Sequence, residues 1–227
     1  RTFSIGFKEQ EFDETRYAAF AAKTCGTIHT RGEMGVDALS LLPDLVRHYG
    51  EPFGDSSALP TWHVCKLARA SVPMVLSGDG ADELFAGYGT QASWMNHPSQ
   101  NVYDWIRQIH YTDGPVRSAL WRPEFKSAFQ PRQELFERLW AETGGLSDLH
   151  RVQHMDINTY LPFDILSKVD IASMMHGLEV RTPFVDLRLV EEASKVPSHF
   201  SMIRAGDGSW NRKALLKRVA RRFFPDP

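Results

Sequence analysis

Phe3, Ile5 and Phe7 alternate with polar positions in RTFSIGF, the period of two that predicts a strand. Asp13 is a fair N-cap for a helix running to about Lys23, and GTIHTR reads as a second short strand. Leu39, Leu42, Val46 and Tyr49 recur at helical spacing, so a helix is expected from about Val36 to Tyr49. EPFGDSSALP reads as a loop, and Pro60 suits the first turn of a helix ending near Ala70. VPMVLS is a short apolar run, expected to be a fully buried strand. Strands alternating with helices predict an α/β fold with a parallel, doubly wound sheet. From about Ser93 the alternation stops, and Leu135, Leu139, Leu149, Val152, Leu161 and Leu166 fall into helical patterns. The expected division is therefore an α/β part at residues 1–92 and a mostly helical part at 93–227.

Composition changes this picture little. The 227 residues are 42% hydrophobic and 24% charged, enough to bury a core; a formal charge of -2 argues neither for nor against nucleic acid, and no nucleic-acid partner is expected. Cys25 and Cys65 form no CxxC pattern, which fits a reducing cytoplasm better than a disulfide scaffold. No apolar run approaches the ~20 residues that span a bilayer, so no membrane partner is expected.

The chemistry concentrates in SGDGADELFAGY, Ser77 to Tyr88, at the carboxyl end of the third strand, where open α/β sheets bind ligands. Glycines let main-chain amides approach phosphate oxygens, and carboxylates at a strand end suit Mg²⁺, which bridges to substrate phosphates. A magnesium–nucleotide site is one reading. The other is a Gly-rich turn before an acidic helix start that complements the helix dipole.

Four segments, in order, resemble the ATP-dependent synthetase half of the asparagine synthetase family. They are TFSIGFKEQEFDE, FGDSSALPTWHVCKLAR, SGDGADELFAGY and YLPFDILSKVDIASMMHGLEVRTPFVDLRLVE. The resemblance implies an adenine-nucleotide alpha hydrolase-like sheet, here partial, in residues 1–92, with 93–227 as the helical part of the same synthetase domain. It implies a ligase with ATP and Mg²⁺ as cofactors that adenylates aspartate and transfers ammonia to it. The ammonia would come from a glutaminase (glutamine amidotransferase) domain that this chain lacks. By the same resemblance Ser77 and Gly78 lie against the AMP part, and Ile5 and Gly6 line the adenine. Asp79 faces the acyl-adenylate, Asp82 holds Mg²⁺-pyrophosphate, and Glu83 shapes the aspartate side. Asp55 and Ser56 lie near the substrate. A cytoplasmic enzyme is implied, with a homodimer among the assemblies left open.

The family's S-G-G-x-D-S pyrophosphate loop does not occur in the sequence, nor does its R-P-K-type lysine motif. Ile171 stands where a basic residue usually follows KVD. The expectation is a partial chain that does not make asparagine alone. A relative acting on another carboxylate, such as a ring-forming synthetase, and a non-catalytic binding module are the alternatives.

Other features read as structural. His150 and His154 are four apart, but no HExxH frame or third metal ligand accompanies them. WNRKALLKRVARRF reads as a surface helix with Leu215, Leu216 and Val219 turned inward. Lys168 and Asp170 read as an ion pair among packed helices, and Trp62 and Trp94 as core.

Overall fold

The computed structural model describes residues 1–224 except 12, 36–39, 52, 99–100, 111–113 and 129–132. The start expected for the second helix, at Val36, lies outside the described residues. The chain first forms β1 (Thr2–Gly6), α1 (Thr15–Thr24), β2 (His29–Glu33), α2 (Leu42–Tyr49), α3 (Ala58–Arg69) and β3 (Met74–Leu76). Helices follow: α4 (Ala81–Phe85), α5 (Gly89–Trp94), α6 (Val102–Ile109), α7 (Gly114–Leu120), α8 (Glu134–Ala141) and α9 (Asp148–Asn158). After a π-helical segment at Leu161–Leu166 come α10 (Ser167–Met174), β4 (Glu179–Arg181), α11 (Leu187–Ser194) and α12 (Ser198–Ser201). A small hairpin of β5 (Ile203–Arg204) and β6 (Trp210–Asn211) precedes α13 (Ala214–Ala220).

Two compact units interleave along the chain, whereas the sequence pattern divides it once, at residue 92. One unit comprises Arg1–Gly80, Pro162–Asp186 and Lys217–Pro227; the other comprises Ala81–Leu161 and Leu187–Leu216.

The first unit is α/β. β1 and β2 pair in parallel from Thr2↔His29 to Gly6↔Glu33, and β3 and β4 pair in parallel from Met74↔Glu179 to Leu76↔Arg181. Asp13 is not the N-cap expected: Glu14 holds that position without a side-chain cap bond, and the Asp13 carboxylate, one residue earlier, accepts from the Thr15 amide and hydroxyl in a local turn that leads into α1. α3 packs against β1 and α10, and Cys65, Ala68 and Leu178 form the core with Phe3, Val64, Val75 and Val180 around them. The strands form separate pairs, and a doubly wound sheet is not seen among the described residues. β3 is also not the fully buried strand expected of VPMVLS. Met74 is 38% and Leu76 67% exposed, because among the described residues β3 has one neighbour, β4, where a central parallel strand has two and is covered on both faces. β4 itself was hidden in the sequence, three residues set in a helical texture.

The second unit is helical. Trp94, Trp105, Leu149, Val152 and Met155 are buried at its centre, and Trp94 meets Trp105 and Trp140 edge to face at 5.6 and 5.7 Å. Such contacts add to the area that these rings bury. Trp94 is thus core, whereas Trp62, in the first unit, is only partly buried and carries the Lys66 ammonium over its ring. Val219 is 45% exposed, against the inward packing expected of it. Among the described residues no helix is long and apolar enough to cross a membrane.

Candidate active site

In the first unit, β3 delivers Ser77, Gly78 and Asp79 to a cavity of about 760 Å³. Its other walls are largely apolar: Phe3 from β1, Val64, Cys65 and Ala68 from α3, and Val169, Leu178 and Val180. The Ser77 amide donates to the Arg181 carbonyl at 2.9 Å, and its hydroxyl donates to an Asp79 carboxylate oxygen. A Cβ built on Gly78 would meet nothing within 4 Å, so this backbone can be approached closely. Gly80 is needed for its conformation: φ is +93°, and a Cβ there would sit 2.8 Å from Val185. Burial, and then the Asp79 charge, push the Cys65 thiol up to about 11, so Cys65 is an inert wall of the cavity. Ile5 and Gly6 do not line it. Ile5 lies over Gly32, and Gly6 is closed in by Thr15 and Arg31.

Asp55 is drawn into a different cluster of the same unit. Its carboxylate accepts from the Lys168 ammonium at 2.6 Å and from the Ser57 amide and hydroxyl at 2.8 Å. Lys168 also donates to the Ser57 hydroxyl at 2.7 Å, and the Tyr49 hydroxyl donates to the Lys168 carbonyl at 3.1 Å. Lys168 is therefore paired, as expected, but with Asp55 instead of Asp170, which is exposed. Ser56 is exposed beside this cluster.

In the second unit, α4 carries Asp82 and Glu83 in its first turn. Asp82 pairs with Lys213 at 2.8 Å, both side chains about one-third exposed. No motif or spacing points to this partner, which lies 131 positions away along the chain. Both backbones that frame the pair are unusual: Ala86 has φ +58° and Lys213 φ +53°, and the Lys213 amide donates to the Ala86 carbonyl at 3.2 Å. Positive φ at non-glycine residues costs free energy and is held only where surrounding contacts require it. Arg212 donates to the Gly87 carbonyl at 2.9 Å. A Cβ on Gly87 would lie 1.8 Å from Asp82 Oδ1 and 2.3 Å from Lys213 Cε. The glycine thus makes room for a carboxylate and an ammonium held side by side.

Glu83 is wholly buried, and its carboxylate accepts from the Tyr88 hydroxyl at 2.7 Å. Burial, and then Glu83, push the Tyr88 phenol well above its ordinary range. Tyr88 also meets Tyr160 edge to face at 5.4 Å. His150 and His154 have separate partners, His150 Nε2 with the Val196 carbonyl at 3.0 Å and His154 Nε2 with Glu142 at 3.3 Å.

Among the described residues no three His, Cys, Asp or Glu side chains gather as a metal cluster. Asp82 fits a narrower role. Mg²⁺ is commonly held by one or two carboxylates together with substrate phosphates, and Lys213 beside Asp82 provides a second positive group for such an anion.

The family model described as asparagine synthase matches residues 1–227. The chain is 25% identical over 259 residues to the glutamine-hydrolyzing asparagine synthetase 1 of Bacillus subtilis, covering 100% of this chain and 40% of that protein. A Mycobacterium bovis protein, provisionally named a glutamine-hydrolyzing asparagine synthetase, is 28% identical over 250 residues, covering 94% of this chain and 38% of its own length. Asparagine synthetase 3 of Bacillus subtilis is 28% identical over 181 residues, covering 76% of this chain and 27% of its own length. The chain thus spans about 40% of the length of the first of these relatives, and by the extent of the family match it belongs to the asparagine synthase family.

Proposed function

We propose that the protein carrying this chain is an ATP-dependent ligase that makes asparagine. The observation that carries the reading is the SGDGADELFAGY loop leaving β3, in a chain matched throughout by the asparagine synthase family. In the first step an oxygen of the aspartate side-chain carboxylate attacks the α-phosphorus of ATP, and the bond to pyrophosphate breaks. In the second, ammonia attacks the activated carbonyl carbon, AMP leaves, and a proton is released. A carboxylate is a poor electrophile, whereas its mixed anhydride with AMP is a good one. The protein's work is to align the reactants and to neutralise phosphate charge.

In this reading Ser77 and Gly78 present backbone to the AMP part, and Asp79 faces the acyl-adenylate across the cavity that all three line. Ile5 and Gly6 act through the shape of the β1 end. Asp82 holds Mg²⁺, which neutralises pyrophosphate charge when bound, and Lys213 takes a phosphate oxygen. Glu83 shapes the aspartate side through the acidic loop itself, where it is buried and accepts from the Tyr88 hydroxyl. Asp55 and Ser56 act on the substrate side indirectly, because the Asp55 carboxylate is occupied by Lys168. Ammonia comes from a glutaminase domain of the same protein, and the enzyme is cytoplasmic, with a homodimer among its assemblies.

The test is ATP–pyrophosphate exchange by the purified intact protein. Exchange is expected with aspartate and to be lost without it. Exchange with a different carboxylate alone would place the protein among the ring-forming synthetases, and ATP binding without any exchange would make it a binding module.

The finer fold reading is that one more parallel strand lies between β1 and β3 and completes a doubly wound sheet. Its support is that Phe3 and Met74–Leu76 line the same apolar cavity, while each strand has a single partner. Hydrogen exchange on the intact protein should then find protected the alternate amides of β1 and β3 that their present partners leave unbonded. Fast exchange there would overturn it.

A further inference from the structure

α9 carries two polar side chains one turn apart that are almost completely buried, Gln153 at 6% and Asp156 at 4% exposure. Both point at the acidic loop. The Gln153 amide donates to the carbonyls of Glu83 and Leu84, each at 2.9 Å. In a helix as short as α4 those carbonyls have no partner within the helix, so Gln153 supplies one. Asp156 Oδ2 accepts from the Gln91 amide at 2.8 Å, and the Gln91 carbonyl oxygen in turn accepts from the Tyr88 amide at 3.1 Å. Gln91 is itself completely buried. One face of α9 therefore holds the segment 83–91 at both ends, and that segment contains the strained Ala86 and the Gly87 that accommodates Asp82 and Lys213.

We infer that Gln153 and Asp156 are positioning residues for the acidic loop, and that Asp156 serves in this as the neutral acid. The geometry requires the second part as well as the first. Asp156 has one amide donor, and among the described residues no lysine or arginine pairs with it. The Glu83 carboxyl shares the dry interior with it. Two charges cannot be sustained there, and a proton on Asp156 removes one. Burial, and secondarily the Glu83 charge, raise the Asp156 carboxyl to about 8, against the lowering effect of the Gln91 bond. Among the described residues, Glu83 is the charge that acts on it from the elements packed on α9. α5 contributes Gln91, the Tyr88 phenol is uncharged and faces Glu83, Asp82 is paired with Lys213, and Glu134, Glu137 and Arg138 of α8 are exposed.

The functional half rests on the reading of Asp82 above, and the experiment separates the two. In the intact protein, thermal midpoints of wild type and Asp156→Asn are compared across pH. A carboxyl whose pKa is raised on folding keeps in the native state a proton that the unfolded chain releases. Its contribution is complete below about pH 4 and is lost as pH rises to about 8. The wild type should lose stability through that window. Asp156→Asn should lose less, and should be the more stable of the two near pH 8, since an amide keeps the acceptor for Gln91 and replaces the O–H donor. A difference between the two midpoints that stays constant from about pH 4 to about pH 8 would overturn the inference, since a carboxyl that keeps its proton in the fold must lose stability relative to the amide as pH rises. In the exchange assay, Asp156→Ala and Gln153→Ala should lower kcat roughly tenfold to a hundredfold, with little change in KM for ATP, and Asp156→Asn should retain turnover. Equal losses in the Asn and Ala variants would also overturn it. If the wild type shows no exchange at all, the proposed function fails, and the thermal comparison still decides the state of Asp156.

Discussion

Asp82→Asn in the intact protein is expected to lower aspartate-dependent ATP–pyrophosphate exchange by roughly a hundredfold or more while leaving the thermal midpoint almost unchanged. The two halves of that result have separate causes. Asp82 and Lys213 are each about one-third exposed, and ion pairs of that kind contribute only about 0–1 kcal/mol to stability. Losing the charge therefore costs the fold little. For a magnesium-bound triphosphate the loss is large, because an amide is a poorer ligand than a carboxylate for a hard cation. The variant also frees Lys213 from the partner that fixes its ammonium. Raising the Mg²⁺ concentration should recover part of the exchange in Asp82→Asn and none in a variant that has lost its fold. Gly87→Ala should act in the same direction, since its Cβ would fall 1.8 Å from Asp82 Oδ1 and push the pair apart. Wild-type exchange by Asp82→Asn, or a loss accompanied by a large fall in thermal midpoint, would remove Asp82 from the chemistry.

Why the acidic loop was legible and its partners were not follows from how each is encoded. β1 announces itself through its period of two, α3 through Pro60 in its first turn, and the glycines and acids of Ser77–Tyr88 stand together in the chain. Lys213 sits in a basic run that reads as an ordinary surface helix, and only the fold brings it to Asp82. The Asp55–Lys168 pair spans 113 positions, so no spacing rule can find it. Leu149 and Val152 mark α9 as helical, and nothing in that pattern shows that Gln153 and Asp156 are buried as well. The buried strand expected of VPMVLS failed for a complementary reason: apolar composition reports what a strand is suited to pack against, whereas its exposure depends on which neighbours are present. β4 was missed because three residues are too few to show a period of two.

Lys168→Met is expected to cost the intact protein about 3–5 kcal/mol at pH 7, the range for removing one partner of a buried ion pair. The side chains of Lys168 and Asp55 are only 8% and 12% exposed, so water screens the pair little. Burial alone would push the Asp55 carboxyl up, but the Lys168 ammonium and the Ser57 bonds outweigh it and hold the group below the ordinary carboxylate range. Asp164, on the π-helical segment, moves the other way: burial, and then Asp55, raise it to about 6. The pH dependence separates these groups. Stability from the depressed Asp55 is present above its unfolded pKa and lost as pH falls, whereas that from the raised Asp164 is complete at low pH and lost as pH rises through about 6. Without Lys168, Asp55 is a buried charge lacking its cation, and protonating it brings relief. The penalty of Lys168→Met, measured by urea denaturation, should therefore shrink between pH 7 and about pH 4. Adding Asp55→Asn to Lys168→Met should restore much of the loss at pH 7, because the penalty belongs to the stranded carboxylate and not to the missing methylenes. A penalty that is the same at both pH values, or that the second substitution leaves untouched, would show that Lys168 stabilises by packing instead.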